Sequence, residues 1–189
     1  MQPDYEKIIQ AINYFARKNV RNRISKLYFL KLIYLADRYH LRKYGRMITN
    51  DTYFAMKYGP VASASKKAFE FIELPEHYLA YADTYLSTSK STDNYLHSVK
   101  SVDMDIFSES DIEAMEAAWN AKIEHSDLVA FTHLFPEWKK HEAKLKLRSV
   151  CPMDISDFFS KANDSVEYCP ADEELVELNR QHYAMLCNW

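Results

Sequence analysis

Apolar side chains recur at helical spacing from the start of the chain. Tyr5, Ile8, Ile9, Ile12, Phe15 and Ala16 share one face, with polar residues opposite, and predict an amphipathic helix over residues 4–19. Ser25 is a fitting N-cap for a second helix over 25–43. From Leu27 to Ala36 its only charge is Lys31. A helix apolar nearly all round belongs in the middle of a fold, so this one is expected to form the core. Gly45 lies just past its last turn, where a left-handed residue stops a helix. Residues 51–58 then change period: Thr52, Phe54, Met56 and Tyr58 fall on one side, Tyr53, Ala55 and Lys57 on the other, which predicts a short strand. Gly59-Pro60 is expected to end it, and a helix over 62–73 to follow before Pro75.

The second half is less regular. Residues 87–94 are polar and read as a loop or hairpin connection, and Tyr95 to Val102 as a strand pairing either with its neighbour or with 51–58. Ser108 with Asp111 gives an N-cap signature for a helix over 109–124, whose face is marked by Ile112, Met115, Trp119, Lys122 and Ile123. Ser126 is expected to cap a helix over 127–134, and Pro136 to open one over 136–147. A short helix over 154–162 and a last one from Pro170 to 186 complete the pattern, the latter with Leu175, Leu178, His182 and Leu186 on one side. The expected class is mainly α (α+β): a single globular helical domain with a small antiparallel sheet around the Gly-Pro turn. There is no internal repeat.

Composition narrows the function classes. A chain of 189 residues with 48% hydrophobic residues is long enough for one packed core. Two glycines, Gly45 and Gly59, are too few for a Gly-rich phosphate loop. No run approaches the ~20 apolar residues that cross a bilayer, and the charged start, with Asp4 and Glu6, lacks a signal-peptide core, so a cytoplasmic protein without membrane contact is expected. Cys151, Cys169 and Cys187 are odd in number and widely spaced, which reads as reduced thiols. Charge is lopsided: residues 1–70 hold 14 Lys/Arg against 5 Asp/Glu, and the remainder 10 against 22. Either the two halves attract each other within one fold, or a basic face meets an acidic protein or nucleic acid.

The candidate chemistry is sparse. Asp37, on the oily helix, needs hydrogen-bond donors, and the backbone near Gly59-Pro60 is one candidate source; it reads as an anchor for that turn, with a toxin contact or catalysis as alternatives. Lys31 is expected to snorkel or to pair with a carboxylate. Asp37 and His40 stand i,i+3, too few for a metal site, and His125, His133 and His141 do not share a face, so no metal or other cofactor is expected. Arg17, Lys18, Arg21, Arg23, Arg38, Arg42, Lys43 and Arg46 form a basic set that reads as a solvated face, an acidic-protein contact or a phosphate contact. No nucleophile or metalloprotease motif is present, and the chain is not expected to be an enzyme.

One series of motifs is specific. Leu30-Lys31-Leu32-Ile33-Tyr34-Leu35-Ala36-Asp37 is followed by Tyr44-Gly45-Arg46, then by Thr52 to Tyr58 and Gly59-Pro60-Val61. With Phe107-Ser108, Thr132-His133 and Pro136 to Trp138, this order resembles the Panacea, or SocA-like, antitoxin domain over roughly residues 5–145. On the resemblance, residues 1–147 form that domain, and 148–189 a helical extension packed on it. Lys31, Tyr34, Asp37, Gly45, Gly59, Pro60, Trp119, His133 and Trp138 are then motif or structural positions. The family's members protect against varied bacterial and phage toxins by direct contact, among them translation-targeting enzymes like small alarmone synthetases, and some act as adaptors to a AAA+ protease. The resemblance thus implies a cognate toxin as partner, with a AAA+ protease and nucleic acid as further alternatives. The aromatic and basic residues of the 38–61 region are the expected toxin contacts: Tyr39, Arg42, Tyr44, Arg46, Tyr53, Lys57 and Tyr58. The unmatched C-terminal segment is expected to set partner choice.

Overall fold

The structure, a computed structural model, describes residues 2–88, 94–163, 168 and 172–187, and for Cys187 the backbone alone. Helix α1 (Tyr5–Arg17) starts where the Asp4 carboxylate accepts the Lys7 N–H. After the short strand β1 (Arg23–Ser25), helix α2 (Lys26–Tyr44) begins at the Ser25 cap and ends at Gly45, whose φ of 74° is the left-handed stop expected there. Every residue of α2 from Phe29 to Arg42 is buried, so it is the axis of the molecule. Helix α5 (Glu109–Glu124) packs along it. The buried face of α5 is mostly small (Ala114, Ala118 and Ala121, with Met115), which lets the two backbones approach closely. Ile123, expected on that face, is exposed instead. The Ser108 and Asp111 side chains form a full capping box at the start of α5.

Two small antiparallel sheets flank this core. Strand β2 (Tyr53–Met56) buries Tyr53 and Ala55 and is the centre strand of one sheet. Gly59-Pro60 does not end the pairing. It opens the return strand β3 (Gly59–Ala62), with Ala55 opposite Pro60 and Met56 opposite Gly59, so the hairpin turns at Lys57-Tyr58. Proline is tolerated because β3 is an edge strand. The third strand of this sheet, β6 (Val150–Pro152), comes from the C-terminal segment and was not anticipated. The other sheet joins β1, β5 (Tyr95–Ser98) and β4 (Leu86–Thr88). The 95–102 segment therefore pairs with its neighbour and with β1, not with 51–58. Residues 89–93 of the polar connection lie outside the described residues.

Helix α3 (Ser63–Glu70) ends at Phe71 in the left-handed region, and α4 (Glu76–Tyr85) occupies a stretch whose pattern gave no helix signal. Helix α6 (Leu128–Thr132) is capped by Asp127, not Ser126, because the Asp127 carboxylate receives the Ala130 N–H. The expected 136–147 helix is broken at His141 into α7 (Pro136–Lys139) and α8 (Glu142–Leu145), and 154–162 is a 3₁₀ turn over Ile155–Phe159. Helix α9 (Glu173–Cys187) lies on α2, and Pro170 is outside the described residues. Val176, Asn179 and Tyr183 face inward, and the Asn179 side chain donates to the carbonyl of Arg42 at the end of α2. The Leu175, Leu178, Leu186 side, which the periodicity singled out, is turned outward. No described helix is long and apolar enough to cross a membrane.

The residues after 147 enter the core itself. The Phe158 ring is fully buried, edge-on to Tyr34 (centroids 5.5 Å) and Tyr53 (5.1 Å). Phe158→Ala is expected to lower unfolding free energy by about 3–5 kcal/mol in urea denaturation. A loss below about 1 kcal/mol would mean that this segment merely rests on the surface.

Candidate functional site

Burial of α2 forces its polar side chains to find partners inside the protein. Asp37 turns toward the loop after the helix. Its carboxylate accepts the backbone N–H of Ile48 (2.7 Å) and Thr49 (3.1 Å), the Thr49 hydroxyl, and the Tyr53 hydroxyl (2.8 Å). The anchoring role expected of Asp37 is present, but its target is the 48–49 loop rather than the Gly59-Pro60 turn. Burial raises the carboxyl and the bonds from Thr49 and Tyr53 oppose it, leaving a net value of about 6, above the ordinary carboxylate range.

Lys31 holds the Gly-Pro segment instead. It neither snorkels nor meets a carboxylate: its side chain is wholly buried, and Nζ donates to the carbonyl of Pro60 at 2.7 Å. Gly59 explains the close approach. Its φ is 99°, and a Cβ there would stand 2.9 Å from Lys31 Nζ and 2.7 Å from Thr132 Oγ1. Burial lowers the Lys31 ammonium to about 7. Trp138 pins the same hairpin by donating Nε1–H to the carbonyl of Met56, and the His133 ring stacks on it at 3.7 Å.

A third buried group surrounds Glu137, which the sequence did not single out. It accepts from the Tyr34 hydroxyl (2.6 Å) and from Arg38 Nε (2.8 Å), and all three are fully buried. Asp51, also unanticipated, accepts the N–H groups of Ala64 and Ser65, capping α3 from a distance. The only sequence signal for Asp51 was an acidic residue beside Asn50, itself left-handed at φ 52°.

The expected contact residues separate into three groups. Tyr53, Tyr39 and Arg42 are buried: Tyr53 on Asp37, Tyr39 on Glu113 (2.5 Å), and Arg42 on the carbonyls of Phe159 and Ser160. These three offer no appreciable surface in this fold. Tyr44 and Arg46 reach solvent but are already engaged, Tyr44 with Glu113 and Arg46 with Asp111 and Ser108. Lys57 and Tyr58 are at the hairpin tip, where Tyr58 is exposed and the Lys57 ammonium lies over its ring. Asp37 and His40 do not converge: burial lowers His40 to about 4, and its ring contacts the carbonyl of Arg46 and the Ser110 hydroxyl. Trp119 packs on Phe15.

These anchors lie inside the span of one family model. Residues 29–139, more than half of the chain, match the antitoxin SocA-like Panacea domain. The chain belongs to this family. No curated protein and no solved structure matches it. Membership supports an antitoxin role and a toxin as partner. The Panacea motif residues can be given local reasons here: the helix motif supplies Lys31, Tyr34 and Asp37, and each holds a separate piece of the later chain against one helix.

Lys31 carries a pH signature. Its folded pKa of about 7 is below the unfolded value of 10.5. Below pH 7 it is charged in both states and the burial penalty is full. Above pH 7 the unfolded state binds more protons, so stability rises with pH until about 10. Relative to Lys31→Met, the wild-type protein is expected to gain up to about 1.4 kcal/mol per pH unit from pH 7 to 9. Parallel unfolding curves for the two proteins across that range would contradict a buried Lys31.

Proposed function

We propose that this chain is an antitoxin that neutralises a toxin encoded beside it by forming a stable complex, without turnover. The observation that carries this reading is the SocA-like Panacea match over residues 29–139. The interior supports it in a second way. Lys31, Asp37, Tyr34, Arg38 and Glu137 are occupied in holding backbone segments and each other, a use suited to a rigid scaffold. A partner therefore meets the outer surface. The toxin class we favour is the translation-targeting, alarmone-synthetase-like type implied by the motif resemblance. The outward side of α9, beyond the matched span, is where we place partner choice.

Co-expression with the product of the adjacent reading frame tests this. Growth is expected to be restored, and the two proteins to purify together, in a host with intact AAA+ proteases and equally in one lacking them. Rescue confined to the protease-competent host would replace neutralisation by proteolytic delivery. Equal killing with and without this chain, and no joint purification, would overturn the antitoxin reading.

A further inference from the structure

Four of the eight residues of the N-terminal basic set are paired with carboxylates within the fold, and Arg17 bonds the Ser98 hydroxyl. Lys18 pairs with Glu116, Lys43 with Glu113, Arg46 with Asp111 and buried Arg38 with Glu137. Arg21 and Arg23 are different. With Lys122 from the end of α5 they line a recess of about 380 Å³ where β1 leads into α2. None of these three makes an ion pair among the described residues, and no Asp or Glu lines the recess. Its remaining walls include Val20, fully exposed, and the rings of Tyr28 and Tyr95. The Arg23 guanidinium lies over the Tyr95 ring, 4.6 Å from its centroid, a cation–π contact that holds the two side chains together at the recess. A second recess of about 500 Å³ adjoins, sharing Tyr28 and Tyr95 and adding Leu27.

We infer that this recess is the docking point of the toxin, and that the toxin enters it with an acidic segment carrying a large apolar or aromatic side chain. The inference deepens the antitoxin reading and rests on it. Charge complementarity fixes the sign of the occupant: three cations without carboxylate partners attract Asp and Glu. Exposed Tyr28 and Val20, with half-buried Tyr95 beside them, supply the anchor contact, since aromatic and Arg side chains around a recess are favoured as binding hot spots. A duplex nucleic acid fits less well. Affinity there comes from neutralising a track of roughly 6–10 phosphates, and three cations around one recess do not make a track.

The experiment uses the tagged full chain co-expressed with the toxin from the adjacent frame. Three changes are made in the recess: Arg21→Glu with Arg23→Glu, Lys122→Glu, and Tyr28→Ala. Lys144→Glu on exposed α8 is the charge-matched control, and thermal melts verify folding. Toxin capture by the recess variants is expected to fall about tenfold or more, with loss of growth rescue, while Lys144→Glu behaves as wild type. Because Arg23 lies in β1 itself, a second arm leaves the charges intact: Val20→p-benzoylphenylalanine is irradiated, and the crosslinked toxin peptide is expected to be rich in Asp and Glu. Folded recess variants that still capture and neutralise the toxin, or a crosslink to a basic or neutral peptide, would overturn the inference while leaving the antitoxin reading intact. So would loss of capture on Lys57→Glu with Tyr58→Ala alone, which moves the contact to the hairpin tip. A fluorescent DNA duplex bound by the wild type and lost in the Arg21/Arg23 variant, with toxin capture unchanged, would reassign the recess to nucleic acid. A wild-type protein that neither rescues nor captures ends both readings together.

Discussion

A charged residue cannot sit in a protein interior unless other groups replace the water it gives up. That constraint organises this molecule, because α2 carries Lys31, Asp37, Arg38 and His40 at zero exposure. Each side chain has to be met by a piece of chain from elsewhere. Lys31 is met by the carbonyl of Pro60, Asp37 by the N–H groups of residues 48 and 49, Arg38 by Glu137 and Ser160, and His40 by Arg46 and Ser110. The helix thus acts as a post to which five separate segments are tied: the 46–49 loop, Pro60, Ser110, Glu137 and Ser160. Directional bonds fix where those segments sit more narrowly than apolar packing alone would.

The same logic runs at the surface with weaker forces. The chain is basic in its first third and acidic beyond it, and folding brings the two together, chiefly along α5, where Asp111, Glu113 and Glu116 receive Lys7, Lys43 and Lys18. The exposed pairs among these, Lys43–Glu113 and Lys18–Glu116, contribute little stability each. Their larger consequence is subtraction. Half of the apparent basic face is paired off within the fold, and among the described residues Arg21, Arg23 and Lys122 line one recess that no carboxylate lines.

Much of the frame was legible in the residues. The unbroken apolar run of α2, its Ser25 and Gly45 ends, and the Ser108–Asp111 capping box are local signals, and the structure follows them. What escaped was whatever depends on pairing across distance. Gly59-Pro60 reads locally as a terminator, yet it opens a strand, because an edge position has no ladder bond to lose at Pro60. Strand β6 is three residues long and exists only because β2 offers an edge. The polar anchors of α2 were visible as anomalies, but their partners were not: Asp37 was assigned the Gly-Pro segment that Lys31 in fact holds. Likewise Tyr53, Tyr39 and Arg42 looked like contact residues by type, and burial gives them internal duties. Side-chain chemistry announces that a partner is needed and stays silent about which one.

The central claim is that α2's buried polar groups hold the surrounding segments rigidly. Native-state hydrogen exchange tests it most directly at the amides of Ile48 and Thr49, which lie in a loop and would exchange quickly unless bonded to Asp37. Their exchange is expected to be as slow as that of the α2 core, and Asp37→Asn is expected to accelerate these two amides first. Fast exchange at both in the wild-type protein, with α2 itself protected, would contradict the claim.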